Sequence, residues 1–136
     1  MPPFNIDQLD HVAIRVRNLD RSAEWYGRVL GLEKKEFPKW KGYPIFLLAG
    51  RTGIALFPAH ADHPELDPVS LNVKIDHFAF HVSRENFEKA RAHYAALNIP
   101  YRFVDHAYFH SIYTHDPDGH EVELTTITEE GEEFLK

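Results

Sequence analysis

The hydrophobic pattern changes period along the chain in a regular order. Residues 11–17 alternate: Val12, Ile14 and Val16 fall on one side, His11, Ala13 and Arg15 on the other. That is the period-two signature of a half-buried strand. From Leu19 the apolar positions form a helical stripe, Leu19, Ala23, Tyr26 and Leu30, closed by Gly31. Asn18 or Asp20 can cap this helix by accepting a hydrogen bond from a free first-turn amide. Glu33 to Trp40 reads as a strand and Lys41-Gly42 as a turn. Ile45 to Ala49 and Gly53 to Phe57 read as a hairpin about Gly50-Arg51-Thr52. The order is βαβββ.

The same order then recurs. LDHVAIRV at residues 9–16 and IDHFAFHV at residues 75–82 align Asp10 with Asp76, His11 with His77, and Arg15 with His81, an offset of 66. Leu30-Gly31-Leu32 answers Leu97-Asn98-Ile99. The second copy opens with a strand, Asp76 to Val82, and Ser83 can cap a helix whose buried stripe is Phe87, Ala90, Tyr94 and Leu97. Asn98 ends that helix and Pro100 cannot continue it. Strands follow at Tyr101 to His106, Ser111 to His115 and His120 to Thr126. A duplicated module of this kind predicts an α+β fold, with two tandem βαβββ modules (about 8–57 and 75–127) forming a curved mixed β-sheet in a single domain. The stretch 58–74, with Pro58, Pro64 and Pro68, reads as the linker, and its His60 and His63 as surface residues. Residues 128–136 form an acidic tail.

The segment Asp116 to Leu124, DPDGHEVEL, closes the second module. Pro117 presets a turn and Gly119 takes a backbone angle other residues resist. Beyond it Val122 and Leu124 point one way, Glu121, Glu123 and Thr125 the other. If the aliphatic faces pack under the helices, His11, His77 and Glu123 all project from the opposite side. Two imidazoles and one carboxylate on three strands suit a divalent metal with open coordination positions, Fe(II) or Mn(II) before others. The alternative is that Asp10 and Asp76 simply satisfy the two histidines.

Composition narrows the classes. The chain has 136 residues, 43% of them hydrophobic, enough for one domain or two halves sharing a core. No apolar run approaches the ~20 residues of a membrane span. The opening MPPFNIDQLD has neither a basic start nor an apolar core, so no secretory signal is expected. Cysteine is absent, which excludes thiolate zinc sites and cysteine nucleophiles and agrees with a cytoplasmic location. The net charge of −6 and the lack of a basic groove argue against nucleic acid. Phosphate loops, nucleophile elbows and His-Glu-x-x-His helices are missing. With ten histidines, a metal assignment must choose among them.

DHVAIRV, WYGRVLGL, DHFAFHV and YTHDPDGHEVEL together resemble the vicinal oxygen chelate superfamily over about residues 8 to 127. That superfamily includes glyoxalase I, extradiol dioxygenases, fosfomycin-modifying enzymes and bleomycin-binding proteins. The resemblance implies metal ligands on the first strand of each module and on the last strand, which match His11, His77 and Glu123. It also implies a small-molecule substrate, a homodimer, and Zn(II) or Ni(II) as further candidates for the single metal ion. Glyoxalase I usually carries a fourth ligand, a glutamate, on the last strand of the first module; the matching strand here is GIALF, with Ala55 near that position. VDHAYFHSIYTHDPDGHEVE fits the extradiol signature, in which His106 and Tyr113 would stand beside the substrate as catalytic groups. The further histidine of ring cleavers has only His60 and His63 to match it. The resemblance thus points first to dioxygenase-like chemistry on a catechol-like compound. The alternatives are a glyoxalase-type lyase or isomerase, a fosfomycin-type thiol transferase, or a drug-binding protein.

Overall fold

A computed structural model describes residues 2–60 and 66–135. His63 lies outside the described residues. The chain divides into two compact units, Met1–Pro64 and Glu65–Lys136, each with its own four-stranded mixed sheet.

The first unit runs β1 (His11–Val16), α1 (Leu19–Leu30), β2 (Glu33–Lys35), β3 (Ile45–Ala49) and β4 (Thr52–Pro58). Its sheet order is β1-β4-β3-β2, with β1 parallel to β4 and the remaining pairs antiparallel. The side chain of Asn18 caps α1 by accepting from the Arg21 amide, and Gly31 closes it in the left-handed conformation. Helix α1 packs on β3 and β4, burying Ala23, Tyr26 and Val29 over Leu47, Ile54 and Leu56. Ile14 and Val16 are buried with them, while His11, Ala13 and Arg15 are exposed, as the alternation predicts.

The second unit repeats the plan: β5 (Phe78–His81), α2 (Arg84–Ala96), β6 (Arg102–Asp105), β7 (Phe109–His115) and β8 (Glu121–Ile127), in the order β5-β8-β7-β6. Again the first and last strands pair in parallel. Ser83 caps α2, and Phe87 and Tyr94 are its buried residues. Burial of the Tyr94 ring raises its hydroxyl pKa well above the usual phenol value.

Several elements differ from the sequence reading: β5 begins at Phe78 rather than Asp76, and Ala90 and Leu97 of the expected α2 stripe are only half-buried. The strand expected from Glu33 to Trp40 ends at Lys35. Pro38 has no N–H to give to a ladder, and the Trp40 amide turns back onto the Phe37 carbonyl. The rings of Phe37, Trp40 and Phe46 pack there instead in tilted and edge-on contacts. The linker loses Pro58, which pairs with Val16 as the end of β4. Within the acidic tail, residues Glu129–Phe134 form a short helix, α3.

What docks α3 is specific. The Thr128 hydroxyl donates to the Ala107 carbonyl and accepts from the Gly131 amide, and the Thr128 amide donates to the Tyr108 carbonyl. Gly131 is buried so closely that an added Cβ would lie 2.1 Å from the Tyr108 carbonyl oxygen. The tail therefore braces the β6–β7 turn, residues 106–108. Gly131→Ala should push α3 off that turn and destabilise the protein by about 1–3 kcal/mol, the usual range for overpacking. Chemical denaturation of the two proteins checks it, and equal midpoints would count against the brace.

Candidate metal and substrate site

The parallel pairing of β5 with β8 decides what can meet in the second unit. It sets Ala79 beside Glu123, and the antiparallel β7–β8 register sets Tyr113 opposite Glu123 and Ser111 opposite Thr125. His77, just before β5, then reaches across: its Nε2 is 2.9 Å from Glu123 Oε1. The other oxygen of Glu123 accepts a 2.6 Å hydrogen bond from the Ser111 hydroxyl. Glu123 is only 7% exposed. A carboxylate this buried requires partners for both oxygens, and here it has them.

His77 is fixed from behind. Its Nδ1 donates to Asp76 Oδ2 at 2.8 Å, which leaves Nε2 to face Glu123. Partial burial opposes the charged imidazolium. The Asp76 hydrogen bond and the carboxylates of Glu123, Asp76 and Glu121 outweigh it and raise the pKa of His77 above the ordinary value. The same hydrogen bond lowers the pKa of Asp76. An imidazole held through one nitrogen by a carboxylate, with the other nitrogen presented, is the arrangement of a metal-ligating histidine.

His11 in the first unit is prepared in the same way, with Nδ1 bonded to Asp10 Oδ2 at 2.7 Å. The aspartates that could merely satisfy the histidines thus occupy one ring nitrogen each and leave Nε2 for another role. The registers extend the equivalence. Ala13 pairs with Ala55 as Ala79 pairs with Glu123, and Phe46 lies opposite Ala55 as Tyr113 lies opposite Glu123. Even the ring contacts match: His11 to Phe46 is 5.2 Å, His77 to Tyr113 is 5.7 Å. Ala55, fully buried, therefore holds the first-unit counterpart of the Glu123 position, and this chain has no carboxylate there.

His106 and Tyr113 meet, with His106 Nε2 2.9 Å from the Tyr113 hydroxyl. Partial burial, then the negative charge of Glu123, raise the Tyr113 pKa, so the phenol keeps its proton at neutral pH. Arg102 lies over the Tyr113 ring and pairs with Glu121. His106 sits in a turn held by Ala107 at φ 67, a strained angle for a residue with a Cβ. The Ala107 amide donates to Asp105 and its carbonyl accepts from Thr128, so both neighbouring strand and tail maintain the strain. The DPDG turn forms as expected. Asp116 is buried and accepts from the Asp118 and His120 amides, while Gly119 holds φ 96.

Within the second unit, His77, Glu123, Tyr113 and His106 are thus brought together, and His11 stands in the first unit. Two groups escaped the sequence reading. Asp76, His77 and Glu121 offer ligand atoms within 4.8 Å of one another, so Glu121 lies nearer the chemistry than its place beside the turn indicated. Ser111 was also missed, because a serine on a strand carries no signal until its register partner is known. Of the linker histidines, His60 is exposed against the Tyr43 ring. A hollow of about 730 Å³ in the second unit, lined by Arg84, Asp105, His110 and Thr126 among others, shares none of the His77–Glu123 group.

The spacing of the His77 and Glu123 donor atoms suits a divalent ion. Two ligand atoms each about 2.1 Å from one metal and at right angles lie roughly 3.0 Å apart. The His77 Nε2 to Glu123 Oε1 separation is 2.9 Å, which is also a hydrogen bond when no ion intervenes.

Paired βαβββ modules with this layout define a class, and the sequence assigns the chain within it. Residues 8–124 match the Glyoxalase/Bleomycin resistance protein/Dioxygenase superfamily, and the chain belongs to that superfamily. It is 25% identical over 126 residues to Glyoxylase I 4 of Arabidopsis thaliana, covering 90% of this chain and 72% of that protein. A glyoxalase/dioxygenase from Nostoc punctiforme shares the fold with a TM-score of 0.78 and 20% identity, over 95% of this chain and 97% of that one. A glyoxylase/bleomycin resistance protein/dioxygenase domain from Frankia sp. EAN1pec does so with a TM-score of 0.74 and 19% identity, over 92% and 95%. Proteins of this superfamily bind small molecules, typically with a divalent metal.

The strained turn gives a direct check. Ala107→Gly should leave stability unchanged or raise it by up to about 1 kcal/mol, since glycine accepts the left-handed angle. Ala107→Val should lower stability by more than that. Thermal melts of the two variants would refute the assignment of strain if valine were the better tolerated.

Proposed function

We propose that the protein is a metal-dependent enzyme in which His11, His77 and Glu123 hold one divalent ion, Fe(II) or Mn(II) before Zn(II) or Ni(II). The observation that carries this reading is the buried Glu123 oxygen set 2.9 Å from a histidine nitrogen whose other nitrogen is already engaged by Asp76. When bound, such an ion supplies Lewis acidity and open positions for adjacent oxygens of a small substrate. The rest is done by the chain. Tyr113, protonated at neutral pH, can donate a hydrogen bond to a substrate oxygen, and His106 beside it can give or take a proton. A catechol-like compound suits this set, and dioxygenase-like ring opening is the reaction we assign. Ala55 at the counterpart of the Glu123 position speaks against a four-ligand glyoxalase site. The likeness to Glyoxylase I 4 keeps lyase or isomerase chemistry as the second reading.

Protein purified without chelator should hold about one divalent ion per chain. Glu123→Ala should weaken metal binding by ~10²-fold or more, beyond the loss expected for an outer partner. Glu121→Ala should cost far less, because Glu121 is paired with Arg102. Metal titrations that find the two variants equal would remove Glu123 from the ligand set.

Fe(II)-loaded protein kept anaerobic should bind a catechol. Admitting oxygen should consume one O₂ per catechol and give a yellow ring-opened product. His106→Ala and Tyr113→Phe should each slow turnover by ~10²-fold or more with metal retained. Turnover of a glutathione hemithioacetal with Ni(II) or Zn(II), and no oxygen uptake on catechols, would favour the second reading instead.

A homodimer completes the proposal. Val69, Leu71, Val73 and Ile75 alternate along the segment before β5 and are 73–102% exposed. Apolar side chains in such a row want cover. Leu71→Asp together with Val73→Asp should convert a dimer to a monomer in light scattering. A wild type that is monomeric at micromolar concentration would contradict it. No helix among the described residues is long and apolar enough to cross a membrane. The lack of cysteine suits the cytoplasmic location we assign.

A further inference from the structure

Ser111 lies behind Glu123 and is fully buried. Its Oγ is 2.6 Å from Glu123 Oε2 and 3.0 Å from Thr125 Oγ1. A hydroxyl has one proton to give, and an ionised carboxylate can only accept. The Ser111 proton therefore goes to Glu123, and the Thr125 hydroxyl donates to Ser111 in preference to the His110 carbonyl, which is more distant at 3.4 Å. This two-hydroxyl chain makes the oxygens of Glu123 unequal: Oε2 is held by Ser111, and Oε1 alone faces His77. At the matching position the first unit has Ala55 in place of the carboxylate. Phe57, the partner of Arg15, stands where Thr125 partners His81.

Carboxylates bind divalent ions through one oxygen or through two. A second oxygen would fill a position that a substrate with two adjacent oxygens needs. Building on the metal reading above, we propose that Ser111 is a positioning residue that keeps Glu123 a one-oxygen ligand and so reserves a coordination position for substrate. The bond suits that task. It is short, charge-assisted and buried, and swinging Oε2 away would exchange it for the longer, neutral 3.0 Å contact with the Thr125 hydroxyl.

Mn(II) titrations of the full chain, followed by water-proton relaxation, read metal binding and the number of exchangeable waters on the bound ion together. Ser111→Ala should bind Mn(II) within ~10-fold of the wild type, the low end of the loss for an outer partner. Its bound ion should carry one water fewer, because Oε2 has taken the place. Affinity of the Mn(II) protein for 4-nitrocatechol, read by its absorbance, should fall by ~10-fold or more. Ser111→Thr, which keeps the hydroxyl, should restore both values. Ser111→Cys, a weaker donor, repeats the test should the alanine variant not fold. A variant with the wild-type water count overturns the inference. So does one that loses Mn(II) as completely as Glu123→Ala, which would make Ser111 a determinant of affinity alone. A wild type that binds no Mn(II) overturns the metal reading itself and this inference with it.

Discussion

The parallel pairing of the first and last strand in each module is the constraint on which the site depends. Parallel neighbours need a crossover, and here α1 or α2 and two further strands supply it. The crossover sends a histidine from the start of a module and a residue from its end to adjacent places on one face. In the second unit those residues are His77 and Glu123. Local structure alone could not bring them together, since they lie at opposite ends of the module. Ser111 and Tyr113 arrive on the same face through the antiparallel β7–β8 register.

The same constraint acts in the first unit on different side chains. His11, Phe46 and Ala55 take the places of His77, Tyr113 and Glu123. One module thus carries a carboxylate, a phenol and a hydroxyl pair, and the other a histidine among aromatic rings. The two modules share the register and differ in the side chains it carries. The polar module bears the cost: a desolvated carboxylate, a histidine in a cluster of acids, and a strained turn at Ala107. The brace from Thr128 and Gly131 offsets part of that cost by tying the turn to α3.

Much of this was legible in the sequence. Alternation placed the strands, the Asn18 and Ser83 caps and the Gly31 stop placed the helices, and the repeat gave the two-module plan. Parity put His11 and Glu123 on the faces away from the helices. What the sequence hid depended on pairing across long separations. Nothing local marks Ser111 as the partner of Glu123, or Gly131 as the point where a tail meets a turn. The strand expected through Trp40 failed for a nearer reason: its apolar residues are aromatic rings that pack against Phe46 once Pro38 ends the ladder. Parity alone did not separate Glu121 from Glu123 on that face, and the side chain of Glu121 also reaches the His77 cluster.

In the function proposed above, one ion would be held by histidines from both modules. X-ray absorption of Fe(II)- or Mn(II)-loaded protein counts imidazoles at the metal and tests this directly. The wild type should show two, and His11→Ala should show one, with His77 and the Glu123 oxygen remaining. A wild type with a single imidazole, or a His11→Ala spectrum that still shows two, would contradict the shared site.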